Sequence, residues 1–133
     1  FRAALAAHGM EPEAVSVVLE AGFEAGEGER LAARLLASPD RPTASLCSSD
    51  LLAAGAMQAA RSAGCRVPDD VAITGFESFS FSAYLDPPLT TVRVPAYEMG
   101  RRAASALIAR LGGRDPGAPH TVLPVEVVHR GSA

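Results

Sequence analysis

The sequence predicts an α/β fold, an open parallel sheet flanked by helices. Short runs of apolar, partly β-branched residues at 15–20, 43–47 and 71–74 alternate with stretches of helical spacing. Strands separated by helices run in the same direction and place the helices on the faces of the sheet. The 133 residues are 48% hydrophobic and 20% charged, the composition of one packed domain.

Each element follows from its residues. Residues 1–9 read as the last turns of a helix closed by Gly9. No capping residue precedes Phe1, so the chain reads as opening in mid-helix, as part of something longer. Residues 15–20 form a buried strand, followed by a loop punctuated by Gly22 and Gly26. A helix over 27–37 carries Leu31, Leu35 and Leu36 at helical spacing, and Ser38-Pro39 stops it. After the strand at 43–47, Ser48-Ser49-Asp50 is a run of N-cap residue types, and a helix over 51–63 ends at Gly64. The strand at 71–74 meets Gly75, and residues 76–85 are aromatic, serine-rich and irregular. Pro87-Pro88 breaks the chain before an extended stretch at 89–94. Pro95 suits the first turn of a helix that runs to Leu111 and is closed by Gly112-Gly113. A loop at 112–120 leads to a last strand at 122–128, which Pro124 confines to an edge.

Composition narrows the function. There are 12 Arg and no Lys against 15 acidic residues, and a net charge of −3 offers no broad footprint for phosphates. This argues against nucleic-acid binding by the chain itself. No run of about 18 apolar residues and no charged-then-apolar leader is present, so neither a membrane span nor a signal peptide is expected. Cys47 and Cys65 flank a helix of about 14 residues, some 20 Å at 1.5 Å per residue, too far for a disulfide. Both read as free thiols in a reducing compartment.

In open α/β sheets, ligands bind beyond the carboxyl ends of the strands. The three strands are followed by Phe23 with Glu24, by Ser48, Ser49 and Asp50, and by Phe76 and Glu77. An aromatic face, hydroxyls and carboxylates together suit a polyhydroxylated ligand. Carboxylates accept paired hydrogen bonds from adjacent hydroxyls, and a ring packs on a sugar's apolar face. Each residue also has a structural reading: Ser49 or Asp50 as a helix cap, Phe23 as core, Glu77 as a solvated loop carboxylate. His8, His120 and His129 are scattered without ligand spacing, so no metal is expected. No phosphate-binding glycine loop, nucleophile elbow or nucleophile–base pair is visible, which argues against an enzyme. Asp69-Asp70 precedes a strand, the wrong end of the sheet for a site, and Arg101-Arg102 reads as a solvated helix face.

Three linked motifs then carry a resemblance. Pro42-Thr43-Ala44 followed by Ser49-Asp50-Leu51-Leu52-Ala53-Ala54-Gly55-Ala56 resembles the "PTA…ND-x-x-A-x-G" stretch of LacI/GalR-type transcriptional regulators. Arg66-Val67-Pro68-Asp69-Asp70-Val71-Ala72-Ile73-Thr74-Gly75-Phe76-Glu77 is similar to their "RVPxDVxxxGFDD". Pro87-Pro88-Leu89-Thr90-Thr91-Val92-Arg93-Val94-Pro95 with Met99-Gly100 resembles "PPLTTVxxPxxxMG", and the stretch from Leu123 to Ser132 resembles their "LPxxLVxRxS" ending.

The resemblance implies one lobe of a periplasmic-binding-protein-like type I fold. Residues 1–133 would be the C-terminal lobe of the effector-binding and dimerisation core. Residues 89–111 would cross over to complete a first lobe that is mostly absent, and the DNA-binding headpiece would be absent too. It further implies a small effector, sugar or nucleoside-like, in a cleft, no cofactor, a cytoplasmic homodimer, and operator DNA reached only through the headpiece. An extracytoplasmic sugar-binding protein of a transporter is the alternative on the same fold. By position, Phe23 falls where the family places a ring, and Asp50 keeps the family's Asp. Ser49 stands in place of Asn, Glu77 in place of Asp, and Ser78 in place of the second Asp. The family's dimer surface would fall on 51–63 and 80–85, with Leu52, Ala56, Tyr84 and Leu85 as its apolar patch, unless Leu52 and Tyr84 pack inside the lobe. Ala96, Met99, Ala103, Ala106, Leu107 and Ile108 form a stripe that wants a partner, with a second copy the favoured one.

Overall fold

The computed structural model describes residues 2–10, 22–115, 117–118 and 120–133. Among them the order is α1 (Arg2–Ala7), α2 (Ala25–Leu36), β1 (Ala44–Leu46), α3 (Asp50–Ser62), β2 (Ala72–Glu77), a 3-10 turn (Ser80–Tyr84), β3 (Thr90–Arg93), α4 (Ala96–Leu111) and β4 (Glu126–Val128). The strand expected at 15–20 lies outside the described residues.

The four strands form one sheet in the order β1-β2-β3-β4. β1, β2 and β3 are parallel, and β4 pairs antiparallel with β3 at the edge. The fold is thus the expected open α/β sheet, with three refinements. β2 runs through Gly75 to Glu77 rather than stopping at Thr74. The extended stretch 89–94 supplies β3, a strand of this same sheet, before the chain enters α4. The last strand is shorter than 122–128, and its ladder begins two residues after Pro124.

The register separates two faces. Ser45, Ile73, Gly75 and Thr91 lie on the side covered by α3, while Leu46, Thr74, Phe76, Val92 and Val127 lie on the other. The core lies between the first face and the helices. It consists of Ala32 from α2, Ala53, Ala56, Met57, Ala59 and Ala60 from α3, and Val71, Ile73 and Leu89 from the sheet side. Five of these six helical residues are alanines, so the core can close only if the helix backbones come close.

Two glycines allow that approach. A Cβ on Gly28 would lie 2.2 Å from the Leu52 carbonyl oxygen, and one on Gly55 would lie 1.9 Å from the Ala25 carbonyl oxygen. The crossing sets the start of α2 over the first two turns of α3.

The C-terminal tail closes the opposite end of the sheet. Ser132 is fully buried, and its Oγ accepts from the Thr90 amide (2.8 Å) and donates to the Ile73 carbonyl (2.6 Å). Its own carbonyl accepts from the Ile73 amide at 2.9 Å. Arg130 Nη1 donates to the Leu89 carbonyl at 2.6 Å. The Arg-x-Ser ending thus bridges the starts of β2 and β3.

α4 buries none of its residues. Tyr97, Met99, Leu107, Ile108 and Leu111 are exposed on it. Glu98 accepts from Arg101 and Arg102 at 2.6–2.7 Å, which lowers its pKa to about 2 and accounts for the arginine pair as a solvated face. Asp70 is likewise engaged by Arg66, which donates to it from its amide and its guanidinium at 2.8–3.1 Å and holds the carboxyl below its usual range.

Gly55→Ala places a methyl where the α2 backbone already sits. We expect it to lower unfolding free energy by about 1–3 kcal/mol, the usual cost of overpacking, with Gly28→Ala comparable. Chemical denaturation checks this, and an unchanged midpoint for both variants contradicts the close-packed crossing.

Candidate functional site

The carboxyl edge of the sheet is built by the end of β2, the N-terminus of α3 and the start of α2. Two consecutive non-glycine residues carry left-handed backbone here, Glu77 at the end of β2 (φ 105°) and Ser78 directly after it (φ 59°). Such backbone is costly for side-chain-bearing residues and concentrates at functional sites. The Glu77 side chain is exposed there, as are Phe76 (40%) and Phe23 (70%). The α2–α3 crossing puts the start of α2, and with it Phe23, at this end of the sheet.

Ser49 and Asp50 belong to the edge in a different way. Ser49 is the N-cap of α3: its backbone is extended, and its Oγ accepts from the Leu52 amide at 3.2 Å. It is 2% exposed. Asp50 is fully buried in the first turn. Its Oδ2 accepts from the Phe79 amide (2.8 Å) and from Ser82 Oγ (2.5 Å), and its Oδ1 accepts from Thr91 Oγ1 (2.5 Å). The cap and structural readings therefore describe both side chains, whose polar atoms are turned into the protein. At this edge Phe23, Phe76 and Glu77 are the exposed residues, whereas Ser49 and Asp50 are buried.

No cation pairs with Asp50 among the described residues. Three directed donors and the positive end of the α3 dipole stand in for one. The arrangement fills the space over β2, since a Cβ on Gly75 would lie 2.2 Å from Asp50 Oδ1. Ser82 and Thr91, which complete this network, lie 32 and 41 residues away in sequence. The only sequence signal for them is the serine-rich character of 76–85 and the Thr90-Thr91 pair.

The expected dimer patch divides. Leu52 (5% exposed) and Ala56 (3%) face inward under α2, so the expectation that they present surface to a second copy is corrected: the α2–α3 crossing covers them. Tyr84 is 87% exposed, and Leu85 is part-buried against the core. Beside them, Phe79 and Phe81 stack with ring centroids 5.8 Å apart.

Both cysteines are free thiols. Burial pushes the Cys47 thiol up, away from the reactive thiolate. Among the described residues no group of His, Cys, Asp or Glu could hold a metal ion, and no helix is long and apolar enough to cross a membrane. The exposed groups at the edge are one carboxylate, an acceptor for hydroxyls, and two aromatic rings, which pack on apolar faces.

The family model described as "Periplasmic binding protein-like domain" matches residues 1–133. The HTH-type transcriptional repressor CytR of Escherichia coli is 39% identical over 110 residues, which is 83% of this chain and 32% of CytR. Among solved structures, the transcription regulator GntR from Chromobacterium violaceum superposes with a TM-score of 0.87 at 31% identity, over 98% of this chain and 48% of that one. A LacI family transcriptional regulator from Arthrobacter sp., solved in complex with lactose, superposes with a TM-score of 0.80 at 29% identity, over 98% and 47%. The chain therefore spans about a third of the curated relative and just under half of the solved ones.

Removing the buried carboxylate leaves one amide and two hydroxyls without their acceptor. Asp50→Ala is expected to cost on the order of 3–5 kcal/mol, whereas Glu77→Ala, on the surface, should stay within about 0.5 kcal/mol. Urea titration of both variants checks the contrast, and equal losses contradict the division between buried and exposed carboxylates.

Proposed function

This chain belongs to the periplasmic binding protein-like domain family of LacI/GalR-type transcriptional regulators, and on that premise we propose that it is an effector-sensing lobe which binds a small sugar-like ligand at the carboxyl edge of its sheet. The observation that carries the proposal is the left-handed backbone of Glu77 and Ser78 at the end of β2, next to exposed Phe76. In this reading Glu77 accepts from a pair of ligand hydroxyls, and Phe23 lies against the ligand's apolar face. Ser49 and Asp50 serve the site from beneath it, by fixing the N-terminus of α3 and the turn after β2.

The relatives named above are transcriptional regulators, and one of the solved ones holds lactose. This favours a cytoplasmic regulator over a transporter component and a sugar over other small molecules, with nucleosides as the next class. Operator DNA would be contacted by a headpiece and not by this chain, whose net charge of −3 suits it poorly to phosphates. Glu77 reaches one methylene further than the Asp usual in the resemblance, so its ligand's hydroxyl pair would sit further from the sheet or belong to a smaller molecule.

Self-association, in the same proposal, uses the outer side of the 3-10 turn. Tyr84 is its centre, flanked by Phe79 and Phe81, and a two-fold contact there would bury the same patch twice.

Two experiments test the proposal. Calorimetric titration with a panel of mono- and disaccharides, lactose included, and of nucleosides should find a binder whose affinity drops at least tenfold, or about 1.4 kcal/mol, in Glu77→Ala. Unchanged affinity in that variant removes Glu77 from the site. Sedimentation velocity should show a dimer that Tyr84→Arg converts to monomer at the same concentration, and a variant that stays dimeric places the interface elsewhere.

A further inference from the structure

One side chain meets the chain at both Gly75 and Phe79, by close packing at the first and by a hydrogen bond at the second. Upstream, a Cβ added to Gly75 would lie only 2.2 Å from Asp50 Oδ1, so the carboxylate packs closely over the β2 backbone there. Downstream, Asp50 Oδ2 accepts from the Phe79 amide at 2.8 Å and from Ser82 Oγ at 2.5 Å, which spans the turn that follows. The residues left between these two contacts are Phe76, Glu77 and Ser78, and two of them carry left-handed backbone. Side-chain-bearing residues keep such backbone only where the surroundings over-determine it.

The holder is itself anchored. Asp50 is fully buried in the capped first turn of α3, and its Oδ1 accepts from Thr91 Oγ1 at 2.5 Å. Thr91 lies in β3, beside Gly75 in the ladder, and β3 continues through Pro95 into α4.

We infer that Asp50 is the positioning residue of this edge: its carboxylate holds Glu77 and Ser78 in left-handed backbone, sets the direction in which the Glu77 side chain leaves the sheet, and makes that direction depend on Thr91 in β3. Its functional weight rests on the proposed effector role of Glu77. The test reads backbone geometry without any ligand, so a failure of the effector role and a failure of this inference are told apart.

The test uses the 133-residue chain. Thr91→Val removes one anchor of the carboxylate on a different strand. Hydrogen exchange of the Phe79 amide should then accelerate about tenfold more than that of the Ala56 amide, which reports general opening of α3. A merely structural loss speeds both amides alike, and an unchanged ratio overturns the inference. A double-mutant cycle adds an independent arm. Ser78→Gly relieves the left-handed residue only while the hold persists, so its effect on the folding equilibrium should be more favourable by roughly fivefold in the native background than in Asp50→Ala. An identical effect in both backgrounds overturns the inference. Should Asp50→Ala not fold, the Thr91→Val exchange ratio decides.

Discussion

Asp50 sits in the first turn of α3 with its carboxylate enclosed, and three donors from two segments distant in sequence converge on it. Burying a charge costs free energy unless its solvation is replaced, and here an amide, two hydroxyls and a helix N-terminus replace it. The consequence is geometric. One small group ties the helix after β1 to the turn after β2 and to β3, and it requires glycine at position 75 to lie so close to the sheet. The left-handed end of β2, where the candidate site lies, is downstream of that requirement.

The rest of the structure is organised by smallness. Alanines dominate the helical side of the core, and Gly28 and Gly55 bring the helix backbones into contact. Close approach replaces side-chain volume as the source of packing, so the structure is sensitive to added atoms as well as to lost ones. The same crossing carries the start of α2 to the carboxyl edge and covers Leu52 and Ala56. Packing and site geometry are therefore set by one contact.

The departures from the family pattern leave the local structure intact. Ser49 in place of Asn leaves the cap intact, because both residue types cap helices well. Glu77 in place of Asp keeps the charge and lengthens the arm on a backbone that is already directed by its neighbours. Burial separates the two carboxylates: Asp50 is enclosed by its hydrogen-bond partners, and Glu77 is exposed at the end of β2.

By itself the sequence determined the α/β class, the alternation of elements and the ends of α3, because these depend on local chemistry: a serine cap, a closing glycine, apolar runs of strand length. It also determined the family, through motifs spread along the chain. Only the tertiary structure decided where β2 ends. Gly75 reads as a breaker in sequence, but it is a strand residue whose missing Cβ makes room for Asp50. Only it decided which face of α3 is covered, since a helix with alanines on most sides has no periodicity to announce one. The role of Asp50 was equally out of reach, because its partners Ser82 and Thr91 are brought to it across 32 and 41 residues by strand pairing that no local pattern encodes.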